Sequence, residues 1–255
     1  MTHLQQLKGK TLLIVEDEDD LREPLAMEFE SLGCKVFEAR NGIEGFAIVS
    51  AQHIDLVISD IRMPGGDGIE MLKKIKAKDF HVPVVMLITG FSDMSREETY
   101  HLGAEAILSK PFELDEIESA VDRLLQSTQV RWAQPAPICE RGHLERAFKS
   151  LPGAAAEGML GLGRGGLFLA RGKDENTVGT LNRLVSFHIK FEEGDLLLIE
   201  GTGTVRWVRS VDAGGFAAGV GIEFDTLSDQ CRNDVLEVVR TLRTKAYLPR
   251  DSQNS

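Results

Sequence analysis

The sequence has few cysteines, no long apolar run and no excess of basic residues. Its cysteines are Cys34, Cys139 and Cys231, and no cysteine or histidine pair has the spacing of a zinc site. No stretch approaches the roughly 20 consecutive apolar residues that a transmembrane helix needs. The first residues are too polar for a signal peptide. We therefore expect unpaired thiols, no membrane partner and a cytoplasmic location.

The acidic excess lies in the first half of the chain. Of 255 residues with a net charge of −11, residues 1–127 contain 13 Lys and Arg against 24 Asp and Glu. Residues 128–255 contain 16 of each. This asymmetry indicates two modules. Because DNA-binding domains usually present a basic surface, the neutral second half argues against DNA as a partner.

Apolar runs alternate with helical patterns through the first half. Five strands that alternate with five helices predict an α/β fold, a (βα)5 doubly wound parallel sheet. The predicted strands are Thr11–Val15, Lys35–Ala39, the run from Asp55 to Asp60, Val82–Thr89 and Ala104–Leu108. The predicted helices are Leu21–Leu32, Ile43–Ser50, Ile69–Lys78, Ser92–Leu102 and Glu113–Leu125.

Polar residues stand at the carboxyl ends of four of these strands. Glu16 and Asp17 follow the first strand, Asp60 ends the third, Thr89 the fourth, and Lys110 follows the fifth. Three carboxylates at one sheet edge repel each other unless a cation binds, and an all-oxygen set suits Mg²⁺. The hydroxyl and the ammonium group would stabilise a phosphoryl group on a nucleophilic Asp60. Each residue alone also fits a helix cap or a turn, so the hypothesis depends on their coincidence.

Four segments of this half resemble the receiver domain of two-component response regulators. They stand at the spacings of that family over about half of the chain. The segments are Val15–Asp19, Asp60–Gly68, Thr89–Gly90 and Gly103–Phe112.

The resemblance implies a role for each residue at the sheet edge. Asp60 is the implied phospho-acceptor, with a sensor histidine kinase as phosphodonor, and Glu16 and Asp17 join it in binding Mg²⁺. Thr89 and Lys110 are implied to contact the phosphoryl group and relay its presence. The resemblance implies no enzymatic activity beyond self-phosphorylation and dephosphorylation.

Two further features concern the segment around Lys110. The family implies a cis peptide bond before Pro111. It usually has an aromatic switch residue where this chain has Ile107. We therefore expect phosphorylation to be reported mainly through Thr89 and the surface of the last strand and its neighbouring helices. Whether that surface forms a homodimer is left open.

A proline-containing segment separates the two halves. Residues 127–137 have few apolar positions, which is typical of a domain boundary. We predict a receiver domain at 1–127, a linker at 128–137 and an output domain at 138–255. Trp132 extends the preceding helix or docks on a neighbouring domain.

The second half contains short apolar segments between glycine-rich turns, a pattern typical of a β-barrel. The stretch Ser228–Lys245 has a helical apolar stripe. The segments are Gly158–Leu162, Gly166–Ala170, Leu184–Phe191, Asp195–Glu200, Gly203–Val211 and Gly215–Phe224.

Three runs of this half resemble the PilZ domain, a six-stranded β-barrel that commonly binds cyclic di-GMP. The resemblance covers roughly residues 138–245. It implies a small PilZ-like β-barrel followed by a C-terminal helix. The runs are Gly161–Leu169, Gly203–Arg209 and Gly219–Ser228.

The sequence departs from that family at both nucleotide-binding motifs. Arg141 and Arg146 are five positions apart where Arg-x-x-x-Arg requires four, and Gly161 and Gly163 replace the polar residues of the later turn. We therefore favour an output domain that binds an unidentified protein. The alternative is a dual-input effector that binds cyclic di-GMP through Arg141, Arg146 and Arg164. A DNA-binding transcriptional regulator is the third reading.

Overall fold

The structure is a computed structural model that describes residues 7–78, 84–90, 96–126, 130, 132–133, 142–163, 165–172, 180–209 and 217–241. The chain divides into two compact units, Met1–Ser127 and Thr128–Ser255. Within the described ranges, no helix is long and apolar enough to cross a membrane.

The first unit is a five-stranded sheet in the order β2-β1-β3-β4-β5, and every pair of neighbours is parallel. The predicted (βα)5 sheet is therefore confirmed. Its strands are β1 (Thr11–Val15), β2 (Lys35–Ala39), β3 (Leu56–Asp60), β4 (Val84–Thr89) and β5 (Ala106–Ser109). Its helices are α1 (Asp19–Ser31), α2 (Gly42–Ala51), α3 (Gly68–Lys78), α4 (Arg96–His101) and α5 (Leu114–Leu125).

Burial on both faces of the sheet explains its continuous apolar strands. All five residues of β3 are buried. Leu56 and Ile58 pack into one core, whereas Val57 packs into a second core on the other face. The strand order reverses between β1 and β3, so their carboxyl ends lie side by side. Open α/β sheets place their sites in such a crevice.

The second unit is a mixed six-stranded sheet in the order β6-β9-β10-β11-β8-β7. Its strands are β6 (Gly142–Phe148), β7 (Leu160–Gly163), β8 (Gly166–Ala170), β9 (Leu184–Phe191), β10 (Leu198–Arg209) and β11 (Gly219–Leu227). Its described helices are α6 (Leu151–Ala156) and α7 (Asp229–Thr241). The pair β6–β9 is parallel and the other pairs are antiparallel. No pairing within the described ranges joins β6 to β7, so the predicted closed barrel is not confirmed.

One strand of this sheet replaces two that the sequence predicts. The break predicted between Glu200 and Gly203 does not exist, because β10 runs through it. A Cβ atom on Gly201 would collide with the carbonyl oxygen of Thr226, and one on Gly203 with that of Glu223. These glycines therefore allow close backbone approach beside a β-bulge between Thr202 and Gly203, and do not mark a turn.

Trp132 belongs to the core of the second unit, although the sequence places it in a linker. Its side chain is fully buried and meets Phe224 edge to face, with ring centroids 5.4 Å apart. Its carbonyl oxygen accepts a hydrogen bond of 3.0 Å from the amide of Leu227. Docking, the second of the two alternatives for Trp132, is the one observed.

Candidate functional site

Asp60 lies at the carboxyl end of the central strand β3 and is only 9% exposed. Its Oδ1 accepts a hydrogen bond of 2.6 Å from the amide of Ile61. A loop follows, which the amide of Gly68 closes by donating to the carbonyl of Ile61 at 2.9 Å. A Cβ atom on Gly68 would collide with the carbonyl oxygen of Asp60. The glycine thus lets α3 begin against the strand end, which fixes the carboxylate at the sheet edge.

Glu16 and Asp17 reach the same edge from β1. Carboxylate oxygens of Glu16, Asp17 and Asp60 lie within 4.8 Å of one another. Glu16 is 2% exposed, and its Oε1 is a buried oxygen without a hydrogen-bond partner. Burial raises the pKa of Glu16, and the charge of Asp60 raises it further, whereas a hydrogen bond from Lys110 opposes the shift. The edge therefore concentrates negative charge that the protein itself only partly compensates.

Lys110 supplies the cation that the described residues bring to this cluster. Its Nζ donates to Oδ2 of Asp60 at 2.8 Å and to Oε2 of Glu16 at 2.9 Å. Burial opposes its charge, but the hydrogen bonds to Asp60 and then Glu16 outweigh burial and raise the pKa of Lys110. The peptide bond between Lys110 and Pro111 is cis, as the resemblance implies.

Thr89 lies beside Lys110 at the end of β4 and is half-buried. The amide of Lys110 donates to the carbonyl of Thr89 at 2.7 Å. Ile107 occupies β5 opposite Leu87 and is also half-buried. All five residues that the sequence places at the sheet edge thus lie there.

The three carboxylates form a donor set that fits Mg²⁺. Hard divalent cations take oxygen ligands, and Mg²⁺ usually binds through one or two carboxylates and keeps several waters. The unpartnered Oε1 of Glu16 gives such an ion a ready ligand, and the mutual repulsion of the acids gives it a favourable potential. Glu16, Asp17 and Asp60 are the residues that would hold it.

Of the three arginines predicted as a nucleotide site, Arg146 is the one within the described residues. Arg141 and Arg164 lie outside the described residues. Arg146 lies in β6, where its Nη1 donates to the carbonyl of Glu145 at 2.7 Å. A Cβ atom on Gly172 would collide with its guanidinium group, so Arg146 packs closely against that backbone.

Sequence reasoning missed a cluster in the second unit. The rings of Phe168 and Trp207 stack at 5.4 Å with an interplanar angle of 3°. The Cζ atom of Arg209 lies 5.0 Å from the centroid of Phe168 and 5.4 Å from that of Trp207. Leu167 and Leu169 enter the core, so Phe168 between them faces the opposite side of the sheet. The sequence feature that could have indicated this cluster is the pair Gly219 and Gly221. These glycines lie opposite Arg209 and Trp207 on the neighbouring strand.

Comparisons with known proteins agree with the geometry of the first unit. The profile described as "Response regulator receiver domain" matches residues 12–122. Sporulation initiation phosphotransferase F of Bacillus subtilis (strain 168) is 36% identical over 120 residues, which are 47% of this chain and 96% of that protein.

Two larger relatives match over a similar length of the chain. Regulatory protein AtoC of Escherichia coli (strain K12) is 37% identical over 116 residues, 45% of this chain and 25% of that protein. The phosphate regulon transcriptional regulatory protein PhoB of Pseudomonas aeruginosa is 31% identical over 122 residues, 47% of this chain and 53% of that protein. The match therefore spans a quarter to about half of these regulators. Through its first unit, the chain belongs to the response regulator receiver domain family.

Proposed function

We propose that the first unit is a phosphorylation switch in which Asp60 accepts a phosphoryl group from a sensor histidine kinase. The observation that carries the proposal is the position of Lys110, whose Nζ lies 2.8 Å from Asp60 and 2.9 Å from Glu16 within a cluster of three acids. A cation between two of three crowded carboxylates, one of them with a free buried oxygen, suits the binding of a metal and a phosphoryl group. A lone acid at a strand end would not have these features.

The chemistry assigns one task to each side chain. An oxygen of Asp60 attacks the phosphorus atom, and the bond between phosphorus and the donor breaks as the acyl phosphate forms. The amide of Ile61 holds Oδ1, which fixes the carboxylate plane. The ammonium group of Lys110 and the hydroxyl of Thr89 offset charge on the phosphoryl oxygens. Bound Mg²⁺ supplies neutralisation of the carboxylates and of the phosphoryl oxygens.

We infer no other catalytic activity for the chain. The side chains at the sheet edge suffice for transfer of a phosphoryl group to Asp60 and for its later loss to water. The response of the second unit then depends on which surface of the first unit changes on phosphorylation. With Ile107 at the position of the family's aromatic switch, we assign the signal mainly to Thr89 and the face formed by β5 and its neighbouring helices.

The test is phosphorylation of the full chain by acetyl phosphate with MgCl₂ or with EDTA. We expect intact-mass spectrometry to detect one added phosphoryl group per chain when Mg²⁺ is present and almost none in EDTA. Equal labelling in both conditions would contradict the assignment of Glu16, Asp17 and Asp60 as a metal site.

The second unit is proposed to be a PilZ-like output domain that acts by contacting another protein. Polar side chains of its long strands already pair with each other. Thr204 donates to Asp225 at 2.8 Å, and Arg206 donates to Glu223 at 2.6 Å. Arg209 covers the stacked rings of the aromatic cluster. Because these polar groups already pair and Arg209 already lies over the rings, we regard this face as poorly suited to a small anionic ligand and better suited to presenting a rigid surface.

Binding of cyclic di-GMP is the alternative that the PilZ resemblance keeps open. It would use Arg141, Arg146 and Arg164, with Gly161 and Gly163 contributing only backbone groups. Losing one charge-assisted hydrogen bond costs about 1.5–3 kcal/mol, so several losses should abolish useful affinity. We expect calorimetric titration of cyclic di-GMP into the full chain, with and without acetyl phosphate, to show no saturable heat. Saturable binding in the micromolar range would establish the dual-input alternative.

A DNA-binding output is the third candidate, because AtoC and PhoB are named as regulatory proteins. The match to each covers less than half of this chain. Residues 128–255 carry 16 basic and 16 acidic residues, which gives no basic footprint. We expect a gel shift with mixed genomic fragments to show no complex at moderate salt. A salt-resistant complex that forms only after phosphorylation would favour the transcriptional alternative.

A further inference from the structure

We propose that Arg22 is a positioning residue that holds Glu16 and Asp17 in the arrangement that binds a divalent cation. The inference rests on the proposed function, because it concerns the same metal site. It assigns to a buried arginine outside the acid cluster a role that the motifs of the sequence do not mark.

Arg22 extends from the second turn of α1 and is only 4% exposed. Its guanidinium group makes three different contacts. Nη1 donates to the carbonyl oxygen of Glu16 at 2.9 Å, and Nε donates to Oε2 of Glu38 at 3.1 Å. Nη2 forms an ion pair with Asp19. The arginine thus ties together the end of β1, the start of α1 and strand β2.

The contact with Glu16 completes a two-sided hold on its backbone. The amide of Glu16 donates to the carbonyl of Ala39 in β2 at 3.1 Å, and the carbonyl of Glu16 accepts from Arg22. Both peptide groups that flank the Glu16 Cα are therefore fixed. Asp17 continues from the second of these groups, so one constraint sets the direction of both candidate ligands.

A constraint on the backbone of Glu16 is needed because the carboxylates of Glu16, Asp17 and Asp60 repel one another. In the metal-free protein the acids at the edge would separate if the β1–α1 connection could move. Lys110 restrains the side chains of Glu16 and Asp60, but within the described residues its hydrogen bonds do not reach Asp17. Arg22 acts on the backbone instead. A cation then meets ligands that are already oriented and does not have to gather them.

The charge of Arg22 is already matched away from the site. Its carboxylate partners are Asp19 and Glu38, neither of which belongs to the acid cluster. Its contact with Glu16 goes to a carbonyl oxygen and not to the carboxylate. We therefore assign the role to geometry, and not to neutralisation of the acids.

Arg40 provides a matched control. It also pairs with Asp19, through Nη2 at 3.2 Å, but its side chain is 63% exposed and reaches Asp19 without touching the backbone of Glu16. Arg22→Met and Arg40→Met each remove one positive charge near the same acid. Removing either positive charge would by itself favour Mg²⁺ binding, so weaker binding that appears only in Arg22→Met reports loss of positioning.

The experiment is calorimetric titration of MgCl₂ into the unphosphorylated full chain. We expect Arg22→Met to weaken Mg²⁺ binding by about 10-fold or more, the range seen when groups that orient metal ligands are removed. Arg40→Met should change the affinity less than about twofold. Arg22→Lys should give an intermediate loss, because an ammonium group can reach fewer of the three partners.

A second readout separates positioning from misfolding. In labelling with acetyl phosphate, the half-saturating Mg²⁺ concentration should rise for Arg22→Met and Arg22→Lys, while the maximum extent of phosphorylation at saturating Mg²⁺ stays unchanged. A folding defect would instead lower the maximum. Equal Mg²⁺ affinity for wild type and Arg22→Met would overturn the inference and leave the proposed function intact. Absence of Mg²⁺ binding by wild type would overturn both.

Discussion

The acids at the sheet edge of the first unit and the acids along β11 of the second unit have opposite surroundings. In the first unit, the sheet edge crowds the carboxylates of Glu16, Asp17 and Asp60 within 4.8 Å, and one buried oxygen has no partner. In the second unit, acids along β11 are matched: Asp225 accepts from Thr204, and Glu223 accepts from Arg206. The first arrangement is costly until a ligand arrives, whereas the two acids of β11 already have donors within the protein.

The difference teaches where chemistry should be sought in each unit. Charges that repel and lack partners lower stability, so their presence in a packed protein indicates a bound ion or a reacting group. Matched pairs on a sheet face indicate structure or a surface for a partner. Substitutions in both units test this contrast, and their expected effects on stability differ in size.

The largest expected effect on stability is that of replacing Trp132, which is fully buried in the core of the second unit. Trp132→Ala should lower the free energy of unfolding of the second unit by about 3–5 kcal/mol, because it removes a fully buried aromatic ring beside Phe224. Hydrogen exchange as a function of urea would report each unit separately. Val130→Ala, at a residue that is 44% exposed, is the control and should change stability by less than about 0.5 kcal/mol. A loss confined to the first unit would contradict the assignment of Trp132.

A smaller effect on stability is expected from removing the ammonium group of Lys110 at the acidic edge. Lys110→Met should destabilise the metal-free first unit by about 1–3 kcal/mol, because two carboxylates lose a charge-assisted hydrogen bond. Added Mg²⁺ should recover part of this loss.

The second unit offers the matched control for Lys110. Nζ of Lys149 lies 3.5 Å from Oε1 of Glu193, and the two side chains are 77% and 60% exposed. Lys149→Met should change stability by less than about 0.5 kcal/mol with or without metal. Urea denaturation of both variants measures the contrast. Equal losses would mean that the acidic edge is an ordinary surface.

The smallest effect is a dependence of stability on pH. Burial and then the charge of Asp60 raise the pKa of folded Glu16 above its usual value of 4.5, so ionisation of this residue disfavours the folded state. Glu16→Gln should therefore stabilise the metal-free first unit at neutral pH. The gain should be full above the raised pKa and disappear below pH 4.5, where Glu16 is protonated in both states.

Thermal unfolding of wild type and Glu16→Gln across this pH range, in EDTA, measures that gain. Added Mg²⁺ should reverse the order of the two proteins, since wild type keeps the carboxylate that binds the ion. A difference that does not change with pH would argue against repulsion at the sheet edge.

Much of the first unit could be predicted because its strands are apolar runs whose ends carry the polar residues. The start of α1 could not. The helix begins at Asp19, two residues before the predicted Leu21, so Pro24 lies in its interior. The contacts of Arg22 could not be predicted either. Its partner Glu38 lies in β2, 16 positions along the chain, and its contact with Glu16 is to a backbone oxygen.

Less of the second unit could be predicted, for two physical reasons. Strand β6 was missed because Gly142–Phe148 alternates buried positions with His143 and Glu145, which face outward and lower its apolar content. Helix α6 was missed because Leu151–Ala156 contains a proline and a glycine; the side chain of Ser150 caps it. Both elements are specified by pairing and capping more than by hydrophobicity.

The central claim is that Asp60 is the phospho-acceptor, and site-specific labelling tests it most directly. Wild type, Asp60→Asn and Asp55→Asn are treated with acetyl phosphate and Mg²⁺ and measured by intact mass. Asp55 lies just before β3 and is a matched control, because it accepts from the amide of Thr11 far from the acid cluster. We predict one phosphoryl group on wild type and on Asp55→Asn, and none on Asp60→Asn. Undiminished labelling of Asp60→Asn would contradict the account.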